Sequence, residues 1–206
     1  HEQYKAFVAA MDKYFDVDTI LLISKVDALT TFVPEFFAGL CADSGINCIK
    51  RISKYKKIVA PISMNVKYGD KETAISYQYN DGDTIPRAMI LNAQISILSI
   101  LRQGAGTADI KPTRLVTEYE YPQNAVEYFG VEVIKGKTNE IVFSNEDLNR
   151  PFITENNRMW DYLESELNQR LKEMEVDNSF SATVRKTLFE LIPGGVSDAD
   201  KIAYEL

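Results

Sequence analysis

The stretch "ISMNVKYGDKETAISYQYNDGD" constrains the fold more than any other part of the chain, because polar and apolar residues alternate on both sides of Gly69-Asp70. Alternation of period two around a Gly-Asp turn predicts a β-hairpin. What precedes it has a different period. "EQYKAFVAAMDKYF" places Tyr4, Phe7, Val8, Met11 and Phe15 at helical spacing, and "TTFVPEFFAGLCAD" and "GINCIKRISKYKKIV" read as two more helices broken at Ser44-Gly45. A long helix is expected after the hairpin, opened by Asp83 or Thr84, with Pro86 in its first turn and Gly104 closing it. "TRLVTEYEYP" (113–122) reads as a third strand, "QNAVEYFG" as a short helix ended by Gly130, and "VEVIKGKTNEIVFS" as a pair of short strands around Lys135-Gly136-Lys137. From Thr154 the pattern turns helical again, through "TENNRMWDYLESELNQRLKEM" and "SFSATVRKTLFELIP" to an unfinished helix that begins at Ser197.

Strands gathered in the middle, without regular alternation with helices, imply an α+β fold. The expected architecture is a small antiparallel sheet of about four to five strands flanked by helices, with a C-terminal helical segment. There are no repeats, no low-complexity segment and no long linker, so 206 residues make one large domain or two small ones.

Charge and composition remove several function classes. A net charge of −7 argues against this chain itself holding a nucleic-acid backbone. The one basic cluster, "KRISKYKK" (50–57), reads as the solvated face of a helix. The most apolar run, 88–101, is interrupted by Asn92, Gln94, Ser96 and Ser99, so no stretch reaches the roughly 18 apolar residues that a membrane span needs. The two cysteines, Cys41 and Cys48, make no disulfide framework and read as buried structural thiols, and cytoplasmic residence is expected. The first residue is His1 and not Met, which suggests a natural start further upstream.

Catalytic chemistry is thin. The sole histidine is His1, so neither a zinc site nor a serine with a histidine base is suggested. "GAG" at Gly104 to Gly106 follows a helix and does not open one, which is wrong for a phosphate loop. Glu118 and Glu120 share a strand face and read as a solvated edge. No cofactor, no metal and no enzyme activity are expected, although an enzyme using only carboxylates and tyrosines stays open.

A set of aromatic and polar residues suits a binding site better. Tyr77 and Tyr79 share one face of the hairpin's second strand, and Tyr119 and Tyr121 share one face of the third. A tyrosine closes an apolar pocket while its hydroxyl reaches a ligand; the alternative is a tyrosine half-exposed on the sheet. Asn92, Ser96, Ser99 and Gln103 form a stripe along the long helix, either its solvent face or the lining of a cavity. Arg87, in the first turn, suits a bidentate grip on a ligand carboxylate, or is a surface residue. The candidate ligand-binding residues are therefore Tyr77, Tyr79, Arg87, Asn92, Ser96 and Tyr119.

Several ordered elements carry a family resemblance. They are the aromatic-Gly-Val of "YFGVEV" (128–133), Asn139 and Phe143 in "NEIVFS", Leu148 and Pro151 in "EDLNRP", an Asn in "TENN", and the Leu163-Glu164 pair. Upstream, Cys48, Ile49, Ile52 and Tyr55 sit at matching places, and "VRKTLFELIPGGVSDADKIAYEL" matches an amphipathic helix, a Leu-Pro-Gly turn and the start of another helix. Together they resemble the ligand-sensing, arabinose-binding-like N-terminal domain of AraC/XylS-type transcriptional regulators, most closely the ornithine-utilisation-regulator subgroup. The resemblance implies an effector-sensing and dimerisation domain over 1–195, and over 196–206 the start of a helix-turn-helix domain that the chain cuts short. It also implies an unidentified small-molecule effector, a homodimer, no membrane partner, and DNA contact only through the missing domain. Met159, Leu163, Leu167 and Leu171, continued by Met174, form an apolar stripe suited to core packing or to dimerisation and signal transmission. A protein-interaction or dimerisation module without a small-molecule ligand is the alternative.

Overall fold

A computed structural model of the chain describes residues 2–24, 33–79, 82–177 and 184. Local capping explains most of the early boundaries. Helix α1 spans Glu2–Tyr14, and α2 spans Val17–Ile23 with the Asp16 carboxylate accepting from the Thr19 amide at 2.8 Å. Helix α3 (Pro34–Leu40) begins on a proline, whose missing N–H costs nothing in a first turn. Helix α4 (Gly45–Val59) is capped by Ser44, at the Ser-Gly break expected between two helices.

The hairpin forms as β1 (Ile62–Tyr68) and β2 (Glu72–Tyr79), closed by the Gly69 amide donating to the Glu72 carbonyl at 2.9 Å. Then follow α5 (Arg87–Ala105), β3 (Arg114–Thr117), α6 (Gln123–Phe129), β4 (Val133–Lys135), β5 (Glu140–Ser144), α7 (Asn145–Leu148) and α8 (Asn157–Asp177). The sheet runs β1-β2-β5-β3-β4 and is antiparallel except for β3 with β4. The described chain is thus α+β, with a five-stranded, mostly antiparallel sheet.

Register settles which side of the sheet is buried. Met64 pairs with Tyr77, Val66 with Ile75, Thr73 with Phe143 and Leu115 with Ile141, and these residues share the inner face. Asn65, Lys67, Gln78 and Arg114 alternate onto the outer, exposed face. Helix α5 lies at the centre of the core. Ile90, Leu91, Leu98 and Leu101 are fully buried, and the helix touches α1, α2, α3 and α4 as well as the sheet side.

Four boundaries differ from expectation, each for a physical reason. Helix α5 opens on Pro86 rather than on Asp83 or Thr84, with the Asp12 carboxylate accepting from the Ala88 amide at 2.7 Å in place of a local cap. It closes at Gly106, whose φ of +66° is the left-handed conformation of a helix terminator, two residues beyond Gly104. The third strand stops at Thr117 because the Thr117 hydroxyl bonds Asn139 and accepts from the Tyr119 amide, turning the chain out of the ladder. Tyr119, Tyr121, Glu118 and Glu120 therefore lie beyond the strand. Finally, β4 and β5 do not pair with each other. Ile141, Val142 and Phe143 are all buried, as suits an interior strand, and β5 inserts between β2 and β3. In α1, Phe7 points outward at 62% exposure while Val8 takes the core.

The chain divides into two units, His1–Glu164 and Ser165–Leu206. The sheet and the helices through the start of α8 belong to the first. In the second, the rest of α8 buries Leu167 and half-buries Leu171, and its polar side carries an Arg170–Glu166 ion pair at 2.9 Å. The helix expected over 179–193, the unfinished helix from 197 and the expected boundary at 195/196 lie outside the described residues. Among the described residues no helix is long and apolar enough to cross a membrane, and no cluster of His, Cys, Asp and Glu could hold a metal ion.

Candidate functional site

Alternation along β2 aims Tyr77 and Tyr79 inward, and the Tyr77 hydroxyl donates to the Ala93 carbonyl of α5 at 3.4 Å. The segment leaving β3 adds two more phenols. The Tyr119 hydroxyl donates to the Ile85 carbonyl, and the Tyr121 hydroxyl donates to Oε1 of buried Gln94 at 2.6 Å. Tyr4 of α1 reaches Met89, and its phenol is pushed up to about 12 by burial, with Tyr79 adding to the shift. Burial also raises Tyr77 and Tyr121, and Tyr121 and Tyr119 respectively add to those shifts. Three elements thus bring together five tyrosines, and burial raises four of them, Tyr4, Tyr77, Tyr119 and Tyr121, which act as protonated hydrogen-bond donors. Tyr77, Tyr79 and Tyr119 of the expected set belong to this group.

Of the other expected residues, Arg87 acts on the group, its charge opposing the rise at Tyr121. Arg87 Nε is 3.8 Å from the Asp12 carboxylate, so that guanidinium is engaged within the fold. The Asn92 side chain donates to the Ser24 hydroxyl at 2.7 Å, on the flank of α5 that faces α2. Ser96, one turn further along, is buried, and its hydroxyl has no hydrogen-bond partner. Along the polar stripe Ser96 is buried, Asn92 and Ser99 are half-buried, and Gln103 is exposed. Gln94 Nε2 is likewise buried without a partner.

The most informative residue was hidden in the basic cluster. Lys50, Lys54 and Lys57 are exposed, as a solvated face requires, but Lys56 is not. It follows Ile52 by one turn on the side of α4 that buries Cys48, Ile49 and Ile52, so its stem runs along the core. It lines a crevice of about 10 Å³ with Phe36, Ile52, Met64, Tyr77, Ala93 and Ile97, room for roughly one water. Lys56 Nζ stands 5.1 Å from the centre of the Phe36 ring. Beside it Glu35 is only 1% exposed, and neither carboxylate oxygen has a hydrogen-bond partner. Burial pushes the Glu35 carboxyl up and the Lys56 ammonium down, each opposed by the attraction of the other. The signal for Lys56 was present in the sequence, since spacings of three and four place it on the stripe of Ile49 and Ile52.

A second, polar cleft of about 250 Å³ opens beside the end of β2, with Gln78, Asp83, Thr84, Glu118, Lys137 and Asn139 among its walls. Asn139 holds it together: its Oδ1 accepts from the Thr117 hydroxyl at 2.9 Å and its Nδ2 donates to Glu118 at 3.0 Å. Its buried amide spans two elements, which explains its cost-effective place at the start of β5. Thiol chemistry finds no support here. Cys41 and Cys48 are both free and buried, and burial raises both thiols.

The fold has a known likeness. It resembles the crystal structure of transcriptional regulator CdpR from Pseudomonas aeruginosa, with a TM-score of 0.59 and 15% sequence identity. The match covers 82% of this chain and 58% of that one, so the chain spans little more than half the length of the regulator it resembles. At that identity the likeness is one of fold. No protein-family model and no curated protein matches the chain.

Proposed function

We propose that this chain is the effector-sensing domain of a bacterial AraC/XylS-type transcriptional regulator, acting in the cytoplasm as a homodimer and controlling a helix-turn-helix domain that follows it. The observation that carries the proposal is the unspent polarity of the interior. Gln94 Nε2, Ser96 Oγ and the Glu35 carboxylate are buried without hydrogen-bond partners, whereas other buried polar side chains, such as Thr73, Thr117 and Asn139, have theirs. Such groups cost stability unless something satisfies them, and a small molecule is one candidate. The fold likeness to a transcriptional regulator and the ordered resemblance over 124–171 point the same way.

Sensing then follows from linkage. A ligand that satisfies these groups in one arrangement of the domain favours that arrangement by its difference in affinity. Helix α8 leads from the first unit toward the C-terminus and is the natural element to transmit the change. A thermal-shift screen against amino acids, sugars, fatty acids and aromatic acids tests the reading. Saturating binding to the native state raises the melting temperature by the equivalent of about 2.7 kcal/mol at a hundred times the dissociation constant.

One observation favours the second reading, a ligand-free interaction module. Phe7 and Tyr14 of α1 and Leu22 of α2 are each more than 60% exposed, which suits a protein contact. That reading predicts no shift with any small molecule and a loss of self-association on Phe7→Ser.

A further inference from the structure

We infer that the crevice at Lys56 receives the acid group of a small carboxylate whose apolar body lies at its mouth. The inference rests on the sensing role proposed above and names the chemistry of its ligand. Two of the residues that line the crevice carry polar side chains: Lys56, whose ammonium only donates, and Tyr77, whose hydroxyl donates and accepts. Every other wall is apolar, from Phe36, Ile52 and Met64 to Ala93 and Ile97. A cationic donor beside a hydroxyl is complemented by an anionic head group rich in acceptors, and a carboxylate is the smallest common one.

The donors are also available. Among the described residues Lys56 Nζ faces the Phe36 ring and the Glu35 charge, with no hydrogen bond or close ion pair. The bond from Tyr77 to Ala93 is long at 3.4 Å, and the phenol can turn to a better acceptor without stranding the carbonyl, which also lies within a helix. Room for about one water admits one carboxylate oxygen, and the rest of the ligand lies at the rim, where Lys56 and Ala93 are half-buried, beside Met64. Methionine is the side chain best able to make way, through its three rotatable bonds. Burial raises the Glu35 carboxyl, and an incoming carboxylate, as a like charge, raises it further toward the protonated form.

The test compares acids with their neutral isosteres on the whole chain. Hexanoate and benzoate, with hexanamide and benzamide as partners, are titrated at neutral pH by thermal shift and calorimetry. At least one acid should bind saturably and at least tenfold tighter than its amide. Lys56→Met should weaken that acid tenfold or more, while Lys50→Met, on the exposed face, leaves it unchanged. Equal binding of acid and amide, or full affinity in Lys56→Met, overturns the inference. No binding by either acid also overturns it, and a shift with another ligand class in the same screen then leaves the sensing role standing. If Lys56→Met does not fold, the acid–amide comparison on the unaltered protein still decides.

Discussion

Replacing Gly104 by alanine sets two effects of known size against each other. In an exposed helix the change is favourable by about 1 kcal/mol, because alanine surrenders less backbone entropy. Here an added Cβ would stand 2.3, 2.5 and 2.5 Å from three ring carbons of Phe152, well inside van der Waals contact. The ring has little freedom to retreat, since Phe152 is buried and its backbone is clamped on both sides. Its amide donates to the Asp43 carbonyl at 2.8 Å, and the next amide, of Ile153, donates to the carbonyl of Gly104 itself at 2.7 Å. Overpacking of this kind costs about 1–3 kcal/mol, and loosening either clamp adds about 1 kcal/mol. The overlap wins, and Gly104→Ala should destabilise the protein by about 1–2 kcal/mol. Urea unfolding should show a lower midpoint with an unchanged slope. Combined with Phe152→Leu, the two costs should add to less than their sum, since the smaller side chain relieves the overlap. An alanine variant as stable as the parent, or more so, would refute the packing argument.

Three further outcomes follow from the same structure. Burial raises the folded-state pKa of Glu35, so the native chain holds that proton more tightly than the unfolded one, and stability falls as pH rises from the ordinary carboxylate range through the folded pKa. Glu35→Gln should remove that fall, so its stability relative to the parent rises with pH; parallel pH–stability curves would contradict this. Asn139→Ala should cost about 2–3 kcal/mol by stranding the Thr117 hydroxyl and the Glu118 amide, measured by thermal unfolding, and a neutral result would show that water replaces the amide. Leu167→Asp, at a site 2% exposed, should lose about 3 kcal/mol or more, and a folded variant of unchanged stability by circular dichroism would remove Leu167 from the core.

What could be read from the chain beforehand was local. The hairpin around Gly69-Asp70 and the helix that Ser44 caps are set by period and capping within a few residues, and both form where expected. The insertion of β5 between β2 and β3 is a choice of partner, and no local period encodes it. The early end of β3 depends on Asn139, 22 residues away. The tyrosines at 77, 79 and 119 could be nominated by residue type and strand face, but their grouping with Tyr4 needed the fold. Lys56 was legible by spacing and was lost to composition, because three exposed lysines nearby made the whole cluster look solvated.

The central claim is that a small molecule is sensed from inside the first unit. Hydrogen exchange, read residue by residue with and without the ligand that the thermal screen selects, tests it most directly. The account predicts slowed exchange at Ser76 to Gln78 of β2, at Ala93 to Ile97 of α5 and around Lys56 of α4. Protection confined to the outer face of the sheet, or a stabilising ligand that leaves those amides unchanged, would contradict it.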